Sequence, residues 1–486
     1  MALDPRVRKK LIRVLGSDYV KDDPITCYSY RCDGLTLHPA EPQAVLYPAD
    51  RDQLVAAVRI LSEQGISFLP RGAGTGLSGG AVPREGSVLI EMVRFRAIGP
   101  IDPVNRTIEV EPGVVNLHVS HAAQPHGLYF VPDPSSQKAC SVGGNVGENS
   151  GGPHTLKYGV TVNHVVGLEV VLPDGEVVEL GGPAWTTPGP DLLSLFIGSE
   201  GTLGIVTKII CRLTPLPERV HTMLAVFGSV REACESVSAI IRAGIVPAAL
   251  EMIDRIVIQA IEQTIGAGFP TDAEAVLIVE LEDLREGLDA EAEQIETILR
   301  ANGAVDVRQA ADEAERALIW RARKEAFGAL GSISPSFYTQ DGVIPRSALP
   351  RVLERILAIG AAHGLTIANV FHAGDGNLHP LILYNSRDPA EIEATHQAGR
   401  EILETCLAEG GSLSGEHGIG LEKSHLMDGA FDEVSLNHMK QVRAVFNPRE
   451  LLNPGKIFPQ PGRCGELKGR PGDAAAQLRA KSGIRV

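Results

Sequence analysis

Apolar and polar positions alternate along this chain with two different periods. Over residues 50–65, DRDQLVAAVRILSEQG, Leu54, Val55, Val58 and Leu61 recur at helical spacing. That spacing predicts an amphipathic helix, with Asp50 capping its start and Gly65 closing its end. ISFLP follows as a short strand and, after a glycine run, SVLIEM as another. Residues 106–115 (RTIEVEPGVV) and 165–180 (VVGLEVVLPDGEVVEL) are strand-rich, the second predicting a hairpin about Pro173-Asp174-Gly175. Up to about residue 216 the chain therefore reads as strands with glycine-rich connections.

The pattern changes after LTPLPER. Between 221 and 440, strands such as TMLAVF, AVLIVELE and TIANVFH alternate with amphipathic helices, clearest in VREACESVSAIIRAG and EAEQIETILRANG. This predicts a second α+β unit in which helices cover an antiparallel sheet. The Asn- and Pro-containing segment 444–458, AVFNPRELLNPGKIF, is expected to return to the first unit. The expected division is 1–36 as an N-terminal segment, 37–216 and 217–440 as two domains, and 441–460 as the return. Residues 461–486, without large aromatic side chains, are expected to form a mobile tail.

A length of 486 residues fits two or three domains, and a formal net charge of -15 argues against a nucleic-acid partner. No apolar run of about 18 residues predicts a transmembrane helix, and the opening MALDPRVRKKLIRVLGSDYV lacks the apolar stretch of a secretory signal. The cysteines at 27, 32, 140, 211, 234, 406 and 464 are scattered and never spaced CxxC. They fit reduced cytosolic thiols and predict no iron–sulfur cluster, so electrons taken up here must leave through another carrier.

Gly74, Gly76 and Gly79 satisfy G-x-G-x-x-G. A Rossmann site for NAD needs a helix opening at those glycines, but AVPREG follows, with Pro83 and Gly86, and then a strand. NAD is therefore disfavoured. Consecutive glycines still allow backbone N–H groups to converge on an anion; a flexible solvent loop is the alternative. Two further glycine-rich stretches, PDPSSQKACSVGGNVGENSGGPHTLKYG (132–159) and FIGSEGTLGIVT (196–207), weigh against loops alone.

The second unit carries FHAGDGNLHP (371–380) and SGEHGIG (414–420). His372 and His379 flank a turn through Gly374, Asp375 and Gly376, so a strand–turn–strand path is expected to converge them. With Glu416 they make a set suited to Zn, Mn or Fe, the alternative being loop histidines bonded to backbone. IWRARKEAF (319–327) predicts a helix in which Arg321, Arg323 and Lys324 group; on residues alone, solvated charge is the favoured account of them.

RGAGTGLSGG, PDPSSQKACSVGGNVGENSGG, GSEGTLGIVT and NPGKI together resemble the FAD-binding domain of the vanillyl-alcohol oxidase (PCMH) type. From about residue 28 to 465 the chain resembles the FAD-carrying subunits of bacterial glycolate oxidases, alongside D-lactate and D-2-hydroxyglutarate dehydrogenases. The resemblance implies an α+β fold, with a PCMH-type FAD-binding domain and an α+β cap built on an antiparallel sheet. It implies that Arg71, Gly72, Ala73, Gly74, Thr75, Gly76, Leu77, Ser78 and Gly79, on to Gly80, hold the FAD pyrophosphate. Pro132, Asp133, Ser135, Ser136, Gly143, Gly144 and Asn145 would line the flavin, with Gly151, Gly152, Glu200, Gly201, Gly204, Ile205 and Asn453 completing the cofactor site. Relatives that bind flavin covalently use a His in the pyrophosphate loop; Thr75 stands there, so non-covalent FAD is expected.

The same resemblance implies His372, His379 and Glu416 as ligands of a divalent metal, His417 as the base and Arg323 as the arginine for a substrate carboxylate. The implied reaction is hydride transfer from a small 2-hydroxy acid to flavin N5, with glycolate first and D-lactate as the alternative. The 2-hydroxyglutarate enzymes carry an Asn where Leu381 stands and a Lys near Thr339, which favours a short monocarboxylate here. Implied partners are a second flavoprotein-like subunit and an iron–sulfur subunit, through which a cytoplasmic chain would reach the inner membrane surface. A flavin-bearing scaffold without turnover is the remaining reading, and the complete His372, His379, Glu416 and His417 set speaks against it.

Overall fold

The computed structural model describes residues 3–184, 188–283 and 285–459; the expected tail at 461–486 lies outside the described residues. The expected helix forms over Arg51–Glu63, with the Asp50 side chain accepting from the Gln53 N–H. Its buried face is Leu54, Ala57, Val58 and Leu61, while Val55 is only partly covered. It packs with the helix Pro5–Leu15 against a four-stranded sheet ordered Val20–Lys21, Ala44–Leu46, Val88–Glu91, Phe68–Arg71. Phe68–Arg71 and Val88–Glu91 run parallel, yet the residues joining them contain no helix. The glycine run occupies that connection.

A second sheet is antiparallel throughout, ordered Ile98–Asp102, Thr107–Val110, Ile205–Arg212, Val165–Val171, Val177–Gly181. The hairpin about residues 173–175 joins its last two strands, and Gly175 supplies the positive φ of 83°. One element was not expected: VGGNVGE folds as the helix Val142–Glu148. Each glycine inside a helix costs about 1 kcal/mol relative to Ala, so propensity argues against it. Tertiary packing overrides that preference: Val142 and Val146 are buried in the core, and a Cβ on Gly143 would lie 2.5 Å from the Pro112 Cβ.

The remaining large sheet has seven antiparallel strands. Their order is Ala304–Gln309, Arg219–Phe227, Ala275–Asp283, Ala249–Asp254, Thr366–His372, Pro380–Tyr384, Ser336–Thr339. Helices cover both faces. Ile240, Ile295, Ile356 and Ile402 pack on one side, and Val257, Ile261, Ile319 and Ala326 on the other. IWRARKEAF is split, the helix Glu313–Lys324 ending before Glu325 and a short helix Ala326–Ala329 following. Among the described residues no helix is long and apolar enough to cross a membrane.

The helix Glu433–Phe446 runs through residue 440, so the return path begins inside a helix rather than between elements. Leu452 then bridges Phe68 in parallel, and the Asn453 N–H donates to the Phe68 carbonyl at 2.7 Å. The Asn453 amide donates to the carbonyls of Gly80 (3.0 Å) and Glu200 (2.7 Å), joining the first and third glycine-rich stretches. Its φ of 41° is left-handed, a conformation Asn tolerates better than most residues. Asn453→Ala leaves two buried carbonyls without donors and strains the backbone. Together these cost about 3 kcal/mol, to be read as a lower denaturant midpoint, with weaker FAD retention.

Candidate active site

The glycine run is held from beneath. The Arg71 guanidinium folds under it, Nη1 donating to the Cys32 carbonyl at 2.9 Å, and a Cβ on Gly74 would sit 2.1 Å from Nη2. Gly72 lies against Ser141, the cap of the helix Val142–Glu148, so closely that a Cβ would meet the Ser141 Oγ at 2.1 Å. Gly74 also has a left-handed φ of 69° that other residues would strain to adopt, whereas a side chain at 72 would have to displace the Ser141 hydroxyl. Residues 72–77 keep part of their surface open, whereas Ser78, Gly79 and Gly80 are buried.

Around this backbone, Asp33 Oδ2, Ser78 Oγ and Glu148 Oε2 are buried without a hydrogen-bond partner. Burial, and then the neighbouring Glu200 carboxylate, push the Glu148 carboxyl well above the usual range. Bare glycine backbone ringed by unpartnered polar atoms fits a polar, extended ligand such as FAD. Asp33 and Glu148 were missed by sequence reasoning. Asp33 is followed by Gly34, where a Cβ would lie 2.9 Å from the carbonyls of Thr75 and Gly76, so the chain passes close beside the glycine run there.

Several expected flavin-lining side chains end on protein atoms. Asn145 Oδ1 accepts from the Asn116 amide at 2.9 Å, and Asn145 Nδ2 faces Ser150 Oγ at 3.3 Å. Asp133 meets His154 and Lys324. Glu200, at a φ of 52°, accepts the N–H groups of Ile419 and Gly420 at 2.7 Å each. These residues act by holding loops in place.

In the cap, His372 ends the strand Thr366–His372 and His379 precedes the strand Pro380–Tyr384, with their ring centroids 5.1 Å apart. Glu416 Oε1 lies 3.2 Å from His372 Nε2 and 3.1 Å from His379 Nε2. Each imidazole is oriented from behind: His372 Nδ1 donates to Glu251 Oε1 (2.8 Å) and His379 Nδ1 to the Gln340 carbonyl (3.3 Å). With Nδ1 committed in each ring, both Nε2 atoms face Glu416, where loss of their protons would free two lone pairs for a cation, the arrangement metal-binding histidines take from their supporting residues. Glu416 Oε2 is buried and unpartnered. The set of two imidazoles and one carboxylate therefore fits a divalent cation.

Burial opposes charge on these groups, but Glu251 and Glu416 raise the His372 pKa well above its ordinary value, and His372 and His379 hold Glu416 well below its own. His417 behaves oppositely. Its ring stacks on His379 at 4.9 Å, its Nδ1 is buried without a partner, and burial lowers its pKa to about 4. Asp341, His379 and His417 also bring ligand atoms within 4.8 Å of one another, so the cluster is continuous.

Two acids missed by sequence reasoning organise it. Glu251, on the buried strand Ala249–Asp254, receives His372 on one oxygen and Arg323 on the other, with Arg323 Nε at 2.7 Å and Nη2 at 2.6 Å. Arg323 is thereby buried and fixed next to the histidines. Asp341 accepts the N–H groups of Gly415, Glu416 and His417 and the Ser414 hydroxyl, with Lys423 Nζ at 3.4 Å. Burial alone would raise the Asp341 carboxyl; His417 and Lys423 hold it at about 2. Thr339 and Leu381, the positions bearing on substrate size, are register partners on adjacent strands.

The cap cluster abuts the FAD-side loops. A Cβ on Gly151 would lie 2.9 Å from Glu416 Oε2, and the N–H groups of Leu421 and Glu422 donate to the Ser78 carbonyl at 2.9 and 3.0 Å. The expected cofactor segments and the expected metal and base residues thus meet at one seam.

Two family models match the chain: "FAD binding domain" over residues 42–181 and "FAD linked oxidases, C-terminal domain" over residues 216–457. The glycolate oxidase subunit GlcD of Escherichia coli (strain K12) is 48% identical over 438 residues, covering 90% of this chain and 88% of that protein. GlcD of Bacillus subtilis (strain 168) is 39% identical, covering 94% and 97%. Among solved structures, 4-ethylphenol oxidase from Gulosibacter chungangensis aligns with a TM-score of 0.79 at 20% identity, covering 94% of this chain and 97% of that one. The expected α+β architecture, an FAD-binding domain of the vanillyl-alcohol oxidase type with a cap on an antiparallel sheet, is the one found.

Replacing Glu251 with Ala frees the His372 ring and removes the partner of Arg323. Affinity for an added divalent cation such as Zn or Mn should fall about 10- to 100-fold, measured by titration calorimetry on the FAD-loaded protein. Unchanged affinity would show that His372 is not a ligand.

Proposed function

Because the chain belongs to the FAD-linked oxidases and binds FAD, we propose that it oxidises a small 2-hydroxy acid, glycolate to glyoxylate, and hands the electrons to partner subunits. The observation that carries this is the junction of His372, His379, Glu416 and His417 with Gly151 of the FAD-side loop. A scaffold that only held flavin would have no use for four such groups at that seam.

Arg323, fixed by Glu251, would receive the substrate carboxylate. His372 Nε2, His379 Nε2 and Glu416 would hold a divalent cation, whose chemistry is to draw carboxylate and hydroxyl together and lower the hydroxyl pKa. His417, kept neutral by burial, would take the hydroxyl proton. FAD, when bound, supplies the acceptor for the hydride leaving the α-carbon. Substrate loses one hydride and one proton, which balances the conversion of alcohol to carbonyl. Leu381, buried, and Thr339 offer no cation or amide for a second carboxylate, which supports a short monocarboxylate.

For the electrons' exit, the chain supplies no CxxC pair, and the six described cysteines are free. Together with the word subunit in the names of the two relatives, this supports transfer to partner subunits, which we propose are a second flavoprotein-like subunit and an iron–sulfur subunit. We place the chain in the cytoplasm, reaching the inner membrane surface through those partners.

The test is anaerobic bleaching of the flavin band with glycolate, D-lactate and D-2-hydroxyglutarate. Glycolate should bleach fastest; preference for D-lactate would make that acid the substrate, and no bleaching by any of them would sink the reading. His417→Ala should retain FAD but slow bleaching about 10²- to 10⁴-fold, the usual contribution of a general base.

A further inference from the structure

A second polar cluster is built on His154, a residue to which the proposed function gives no role. His154, Glu280 and Glu282 bring one ligand atom each within 4.8 Å of one another, the spacing of a metal site. The donor atoms speak against a cation there. Glu280 Oε2 already accepts from Thr222 Oγ1, Trp320 Nε1 and Arg316 Nε, and Oε1 faces Arg316 Nη2 at 3.2 Å and His154 Nε2 at 3.4 Å. His154 Nδ1 lies 3.0 Å from Asp133 Oδ2, which also accepts from Lys324 Nζ at 3.3 Å. Both imidazole nitrogens therefore point at carboxylates. What remains is an unbroken row of alternating charge: Lys324, Asp133, His154, Glu280, Arg316.

Burial opposes charge on His154, but Asp133 and Glu280 outweigh it and lift the pKa to about 10. Burial would likewise raise the two carboxyls, yet His154, helped by Lys324 at one end and Arg316 at the other, holds each at about 2.

The row crosses from one domain to the other. Asp133 lies within the segment expected to line the flavin, and His154 is two residues beyond Gly152. Glu280 sits on the strand Ala275–Asp283 of the cap. Arg316, Trp320 and Lys324 recur every fourth residue on the helix Glu313–Lys324, so they share one face. The Trp320 ring also stacks on His154, with centroids 5.8 Å apart and planes at 26°. Arg323 is on this same helix, one residue from Lys324.

Resting on the function proposed above, we propose that His154 is a positioning residue: it ties the flavin-lining loops to the helix carrying Arg323 and so sets where a substrate carboxylate is held. A misplacement of about 1 Å in an orienting group costs roughly 10²-fold in rate, so a brace at this point bears on turnover without touching the reacting atoms.

Three variants of the FAD-loaded protein test this. His154→Phe keeps a ring against Trp320 and removes both nitrogens; His154→Gln restores one polar contact; Lys324→Met cuts the row at its partly exposed end. The expected result is normal FAD content in all three and a kcat/KM lowered about 10²-fold in His154→Phe, carried mainly by KM. His154→Gln should recover part of the loss, Lys324→Met should change KM in the same sense, and amide exchange over residues 313–324 should quicken in His154→Phe. Unchanged KM and exchange in His154→Phe would overturn the proposal. Loss of FAD from both His154→Phe and Lys324→Met would also overturn it, by showing a brace for the fold alone. Should the unsubstituted protein be bleached by none of the three acids, the functional reading fails, and the exchange measurement still decides whether His154 anchors the helix.

Discussion

Two buried carboxylates determine the path of the loop 414–422. Its Gly415, Glu416 and His417 N–H groups end on Asp341, and its Ile419 and Gly420 N–H groups on Glu200. Five backbone donors, four of them partly buried and that of Gly420 buried, are satisfied by two side chains. One acid belongs to the cap and the other to the FAD-binding domain. The loop bearing Glu416 and His417 is thus strung between the two domains, and its position depends on how they dock.

Much of this was legible because it rested on short-range pattern. The helix Arg51–Glu63 follows from apolar spacing, the hairpin at 173–175 from its turn residues, and the helix-free glycine connection from Pro83 and Gly86. The convergence of His372 and His379 follows from a strand–turn–strand pattern over eight residues, 372 to 379. What stayed hidden depended on long-range pairing. Glu251 reads as a lone acid in an apolar strand, and only the register Glu251↔His372 brings it behind the histidine. Asp341 lies 73 positions from Ser414, a separation no local pattern can encode. The helix Val142–Glu148 was obscured for the opposite reason, since local propensity pointed away from what packing selects.

The seam holds an unusual amount of interior charge for a chain whose net charge is -15. Arg323, Lys423 and Lys456 are among its largest fully buried side chains, and each has carboxylates or carbonyls within reach. Removing charges from water is costly, and such pairs often contribute little net stability compared with apolar packing. Their use here is geometric: charged hydrogen bonds tolerate fewer alternative arrangements than an apolar contact.

Glu251 carries one further consequence. Its two oxygens serve different tenants, Oε1 orienting His372 and Oε2 restraining Arg323. On the proposed function, a cation held by His372 would draw electron density through the ring, strengthening one of these bonds and weakening the carboxylate's hold on the other. Cation and substrate anion would therefore bind as linked equilibria, each altering the affinity of the other by the same factor, and a single shared carboxylate would be the means of that cooperativity.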